Sequence, residues 1–333
     1  MEKERGMEKH YATPAFQEFP QLSRLPFFSP QNQGVIADYL AYLRARHYAP
    51  AMWEGIIRAL KSFAALMPEA RQATLYDDLT QTTPTDVDAW IEAAFRHQLA
   101  PSTVATRLRV LQGFFTFLRD QGSVAQSPIR FPRHHILVPQ GLPRPMAEDE
   151  VVAFFRVIDA VRDRTMFLLM LRCGLRVSEV GNLSWSALDF AQGTVRIDHS
   201  KGQVDRVVYL APDVAKALRQ WQRLQTAAAP YVFPSRMTRK GGLPLTARQI
   251  QHRMTHYLRL AGIAKAYSPH SLRHTFATQL LNAGASLEVV KELMGHRSLD
   301  ITLRYTQLYD RTKRAQYDQA MVQVEQRQGL QRR

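Results

Sequence analysis

Residues 267–305 read YSPHSLRHTFATQLLNAGASLEVVKELMGHRSLDITLRY. Ser268 and Pro269 have the character of a helix N-cap and first helical residue. Leu272, Phe276 and Leu280 then line one side of that helix, the side that faces a core. His270 and Arg273, at i and i+3, share a face in its first turns. Asn282 to Ala285 ends it, Ser286 caps the next helix, SLEVVKELM, and Gly295 ends that one. The positive end of the first helix adds to Arg273, and the place suits an anion such as phosphate. On these residues alone, a capped surface helix and a helix-turn-helix stay open as well. His296 follows Gly295, where a rim role fits as well as a chemical one. Tyr305 stands nine residues later. A lone tyrosine is ordinarily core or rim, and as a nucleophile it needs activation, because a free phenol titrates near about 10.

Working upstream, 171–185 reads LRCGLRVSEVGNLSW. Phe167 to Leu175 is nearly all apolar and predicts a buried helix. Arg176 follows it, three residues before Glu179, so that the two share a helix face, as a surface ion pair or as something more. Residues 193–199 and, in part, 206–210 alternate, with Ser200-Lys201-Gly202-Gln203 between them, and predict a β-hairpin. Lys201 at its tip is an ordinary surface residue unless the hairpin enters a substrate groove. Val151, Val152, Phe155 and Ile158 form the stripe of an earlier helix, and the chain from Pro212 onward is mostly helical in pattern.

The first third is different in kind. Val35, Tyr39, Leu40 and Leu43 predict a helix from Gly34. Further helices are expected over 53–67, after a cap at Thr85, and from Pro101-Ser102. Four helices with short links make an all-α domain. Residues 1–33 read as a loosely held arm. SVAQSPIRFPRHHILVPQGLPRPM, residues 123–146, holds five prolines and three arginines. Prolines forbid a continuous helix, so this stretch predicts an extended connector and the domain boundary.

The whole chain has 333 residues, 45% of them hydrophobic, enough for two packed domains. Its 44 Lys and Arg against 29 Asp and Glu give a net charge of +15, which points to a polyanion, nucleic acid first. No apolar run of about 18 residues suggests a membrane span. One cysteine, Cys173, excludes an internal disulfide framework and a cysteine-rich zinc site, and fits a cytosolic compartment. The N-terminal twenty residues lack the apolar core of a signal peptide.

GLRVSE, the hairpin SKG, HSLRHTFAT and LMGHRSLDITLRYT, in that order and spacing, resemble the tyrosine recombinase (phage integrase) family, which includes the Xer, lambda integrase and Cre recombinases. The resemblance spans about residues 147–310, and the helices of 34–122 resemble the family's core-binding domain by position and pattern. It implies a mainly α fold with a small antiparallel sheet: an all-α core-binding domain at 34–122, a linker at 123–146, an α+β catalytic domain at 147–311 and a tail helix at 312–333. Matched to the family's motifs, Arg176 and Arg273 are the two catalytic arginines, Lys201 the hairpin lysine, His270 the start of the H-x-x-R pair, His296 the later histidine and Tyr305 the nucleophile. Glu179 matches an acidic position that supports the first arginine. The arm before Gly34 and the tail after Tyr305 are long beside a minimal Xer-type chain.

The implied reaction is site-specific exchange of DNA strands through a 3′-phosphotyrosyl bond, with no cofactor and no metal. No Walker loop and no H-E-x-x-H are present. The implied partners are double-stranded DNA with an inverted-repeat core site and further subunits, in a homo-tetramer or with a second recombinase. Tyr317, Met321 and Val324 form an apolar stripe in the tail, for docking on a neighbouring protomer or on its own domain. Three other readings compete. A non-catalytic DNA-binding regulator has no need of Tyr305. A metal hydrolase on His270, His274 and His296 lacks acidic ligands. A type IB topoisomerase shares the chemistry but not the core-binding domain.

Overall fold

A computed structural model describes residues 28–48, 50–139, 144–198, 205–225, 229–235, 242–295 and 321. The chain divides into two compact units, Met1–Gln140 and Gly141–Arg333.

Among the described residues, the first unit is helical: α1 (Pro30–Ala45), α2 (Pro50–Ala65), α3 (Glu69–Asp77), α4 (Pro84–Arg96) and α5 (Pro101–Asp120). Trp90 is fully buried and packs on Phe63, and its indole N–H donates to the carbonyl of Ser62 at 3.0 Å. Asn32, also fully buried, donates to the carbonyls of Leu75 and Tyr76 and accepts from the N–H of Leu79. It thereby fastens α1 to the end of α3.

Four details differ from the sequence expectation. The first helix begins at Pro30 rather than Gly34, because Ser29 caps it by accepting from the N–H of Asn32. Helix α3 was not expected, because its segment EARQATLYD has too little apolar periodicity to declare itself. Thr83, not Thr85, caps α4, where Asp86 completes a capping box with it and pairs with Arg71. The proline-rich stretch after α5 does not run free: Ile129 is buried in the core of this unit.

The second unit is built around α7 (Val161–Cys173), whose residues Met166–Leu171 and Cys173 are all buried. Apolar side chains all round the Met166–Leu171 stretch require enclosure. It packs against α9 (Pro212–Leu224) and α11 (Pro269–Asn282). Helices α6 (Glu148–Arg156), α8 (Val177–Gly181), α10 (Ala247–Leu260) and α12 (Leu287–Met294) are further helices of this unit among the described residues. The buried carboxylate of Asp163 on α7 pairs with Arg162 and Arg253 and accepts from the hydroxyl of Tyr257. A small antiparallel sheet runs in the order β1 (Leu188–Asp189), β2 (Thr194–Ile197), β3 (Arg206–Tyr209). Ile197 faces Arg206 across the β2–β3 pair, as the alternating pattern expects of a hairpin. No helix among the described residues is long and apolar enough to cross a membrane.

Candidate active site

Three elements distant in sequence meet at the C-terminal end of α12. Gly174 ends α7 in the left-handed conformation at φ 64°, and the chain turns directly into α8 with Arg176 as its N-cap residue. Arg273 lies on the second turn of α11, which Ser268 and Pro269 open as the sequence predicts. Ser286 caps α12 and Gly295 closes it at φ 59°.

Arg176 is half-buried. Its Nη1 donates to Glu179 Oε1 at 2.7 Å and its backbone N–H to Oε2 at 2.7 Å. This is therefore not the surface pair that i, i+3 spacing alone leaves open. Its Nη2 donates to the carbonyl of Gly295 at 2.9 Å. Arg273 is 4% exposed, and its guanidinium donates to the carbonyls of Gly174 and Met294. Sequence reasoning missed a third arginine. Arg206, the first residue of β3, is buried, holds both oxygens of Glu179 at 2.9 and 2.7 Å, and donates from Nε to the carbonyl of Leu293 at 2.8 Å. The last carbonyls of a helix have no partner within it and carry the negative end of its dipole. Here the three carbonyls of Leu293, Met294 and Gly295 are taken by three different arginines. The available signal for Arg206 was an arginine in register with Val208 on the inward side of a strand.

Burial alone would raise the Glu179 carboxyl. The hydrogen bonds and charge of Arg206, then the backbone and guanidinium of Arg176, instead hold it at about 2. His270 opens α11 and is exposed as a residue. Partial desolvation of its ring, then the charges of Arg273 and Arg176, lower its pKa below the usual histidine value. The same kind of surroundings bring His274 down to about 4, desolvation first, then His270 and Arg273. Both rings are thus held in the neutral form near pH 7. Burial pushes the thiol of Cys173 up to about 12, so it is chemically inert. Among the described residues no three His, Cys, Asp or Glu side chains are grouped to hold a metal ion.

The structure thus brings together Arg176, Arg273 and His270, with Glu179 between the arginines of α8 and β3. Lys201, His296 and Tyr305 lie outside the described residues. Two of them bear a fixed chain relation to the site: Lys201 falls between β2 and β3, and His296 directly follows Gly295.

Residues 144–312, half of the chain, match the Phage integrase family. The chain belongs to that family. As a tyrosine recombinase it has relatives along most of its length. It is 31% identical over 282 residues to tyrosine recombinase XerC of Proteus mirabilis, covering 82% of this chain and 89% of the relative. It is 31% identical over 289 residues to tyrosine recombinase XerD of Lacticaseibacillus casei, covering 83% and 94%. Among solved structures, a lambda integrase dimer bound to a COC′ core site superposes with a TM-score of 0.65 at 15% identity, covering 81% of this chain and 93% of that one. That likeness establishes the fold. Family membership makes the chain a recombinase of the DNA strand-transferase class and does not favour the topoisomerase and regulator readings.

Proposed function

We propose that this recombinase cuts and rejoins double-stranded DNA at an inverted-repeat core site through a 3′-phosphotyrosyl bond to Tyr305. The observation that carries the reading is the convergence of Arg176 and Arg273, from helices almost a hundred residues apart, on the backbone that leads into His296. Two guanidiniums beside one another suit the non-bridging oxygens of a phosphodiester and the extra charge of its pentavalent transition state.

In the proposed step the Tyr305 oxygen attacks phosphorus and the bond to the 5′-oxygen breaks. Lys201 gives the leaving oxygen its proton. His270 takes the tyrosyl proton; its lowered pKa keeps the ring neutral, the form that can accept. His296 donates a hydrogen bond to the phosphate. The phosphotyrosyl bond keeps the energy of the diester, so a 5′-hydroxyl from the second duplex reverses the step with no cofactor and no metal. The outcome is integration, excision or resolution, according to the arrangement of sites.

The first unit supplies a further hold on DNA. Arg58 and Arg107 line an open groove with Ser102, Thr103 and Thr106. Desolvation, then the charge of the neighbouring Arg58, lowers the pKa of Arg107. A phosphate there would relieve the repulsion. Exchange between two duplexes calls for a homo-tetramer, or an assembly with a second recombinase, in which the helix at 312–333 docks on a neighbour.

The test is a nicked suicide duplex that traps the covalent species. The wild-type chain forms a protein–DNA adduct and Tyr305→Phe does not. An adduct on Tyr305→Phe would move the nucleophile elsewhere, with Tyr309 the next candidate.

A further inference from the structure

Arg206 opens β3 with 9% of its surface exposed, in a core position shared along the strand with Val208. Packing alone has no use for a guanidinium there. Replacing a buried ion pair by apolar residues of similar volume is often neutral or stabilising. The contacts of Arg206 are instead directed. Its fork covers both oxygens of Glu179, at 2.9 and 2.7 Å, in the two-pronged geometry that carboxylates bind most strongly. The same two oxygens take the side chain and the backbone N–H of Arg176, both at 2.7 Å. Its Nε holds the carbonyl of Leu293, the last residue but one of α12. The side chain also lies flat against Gly295, where an added Cβ would come within 3.0 Å of Arg206 Cδ and 3.1 Å of Nη1. The left-handed φ at 295 favours glycine, and an added Cβ would also press on the Arg206 side chain.

We propose that Arg206 is a positioning residue for strand cleavage: it locks Glu179, which seats Arg176, and it pins the last turn of α12 that runs into His296. The inference rests on the reading of Arg176 as a catalytic arginine. Without Arg206, the carboxylate of Glu179 loses the partner that fixes its plane, and Arg176 can swing with it. The end of α12 loses one of its three tethers. Arg206 is buried, so its loss acts on rate more than on DNA affinity. Lysine is a poor substitute, because a single ammonium cannot cover two carboxylate oxygens and a carbonyl in one fixed geometry.

The experiment measures single-turnover cleavage of a suicide duplex at saturating DNA, with affinity by gel shift, on the full chain. The variants are Arg206→Gln, Arg206→Lys, Glu179→Gln and the Arg206→Gln/Glu179→Gln double. A displaced catalytic group typically costs about 10²-fold, so Arg206→Gln should cleave about 10²-fold more slowly and Arg206→Lys at least about tenfold more slowly, each with DNA affinity within about threefold. Because the two residues act as one unit, the double variant should be no slower than the slower single variant. Arg206→Lys keeps the buried charge and decides the matter if Arg206→Gln does not fold. Either Arg206 variant cleaving at the wild-type rate, a loss confined to affinity, or fully additive losses in the double variant would overturn the role. If the wild-type chain forms its adduct on Tyr305 while the variants cleave normally, only the role of Arg206 falls. If the wild type forms no adduct on Tyr305, the reading beneath it falls too.

Discussion

Glu179→Gln is the substitution whose cost follows most directly from the structure. The carboxylate accepts from the backbone and Nη1 of Arg176 and from Nη1 and Nη2 of Arg206, all within 2.9 Å. Glutamine has the same shape, but it offers one acceptor oxygen and turns an NH₂ toward a guanidinium. A carboxyl held at about 2 rather than the ordinary 4.5 contributes about 3 kcal/mol of folding stability near neutral pH. Breaking a buried pair on one side costs about 3–5 kcal/mol, which describes the same loss from the other direction. Because the folded-state pKa is depressed, this stability is fully present above pH 4.5 and is lost as pH falls toward 2. Urea unfolding at pH 7, 5 and 3 should therefore show the variant about 3 kcal/mol less stable at pH 7 and 5, with a smaller gap at pH 3. A gap under about 1 kcal/mol at pH 7, or one that widens with acid, would refute the reasoning.

Gly174→Ala should cost about 2–4 kcal/mol, from left-handed backbone strain and from overpacking. The added Cβ would sit 2.5 Å from the ring of Phe276, and the carbonyl that takes Arg273 would move with it, so cleavage should fall along with the thermal midpoint. His274 is held at about 4 against an ordinary 6.5, so the unfolded chain binds its proton first, and stability should decline as pH falls from 6.5 to 4. Unfolding midpoints across that range should be flatter for His274→Asn than for wild type. DNA affinity should drop by about 10³–10⁵ between about 50 and 200 mM salt if about 6–10 phosphates are held, and cleavage should persist in EDTA. A flat salt response, or cleavage restored only by a divalent ion, contradicts these expectations.

Local signals carried much of this fold. The opening of α11 at Ser268-Pro269, the capping of α12 by Ser286 and its end at Gly295 were legible because caps act within a few residues. The burial of α7 was legible from a nearly all-apolar run, Phe167 to Leu175. Helix α3 was not, since Leu75 is its one large aliphatic residue and Glu69, Arg71, Gln72, Thr74 and Asp77 break any apolar period. Arg176, Arg273 and Glu179 could be picked out from motifs, but the convergence of the two arginines on the end of α12 could not. Arg176 reaches Gly295 across 119 positions, and no local pattern encodes such a pairing. Arg206 was hidden for a related reason. Alternation along β3 reveals which side it faces, and only the folded chain shows that Glu179 waits there.

Mapping the covalent attachment site separates Tyr305 from every other candidate nucleophile. The wild-type chain is trapped on a suicide duplex, digested with protease and nuclease, and the nucleotide-bearing peptide is identified by mass spectrometry. A single phosphotyrosyl linkage is expected, on Tyr305, joined to the 3′ side of the cut. A linkage on another residue, a 5′ linkage, or cleaved DNA with no attached peptide would contradict it.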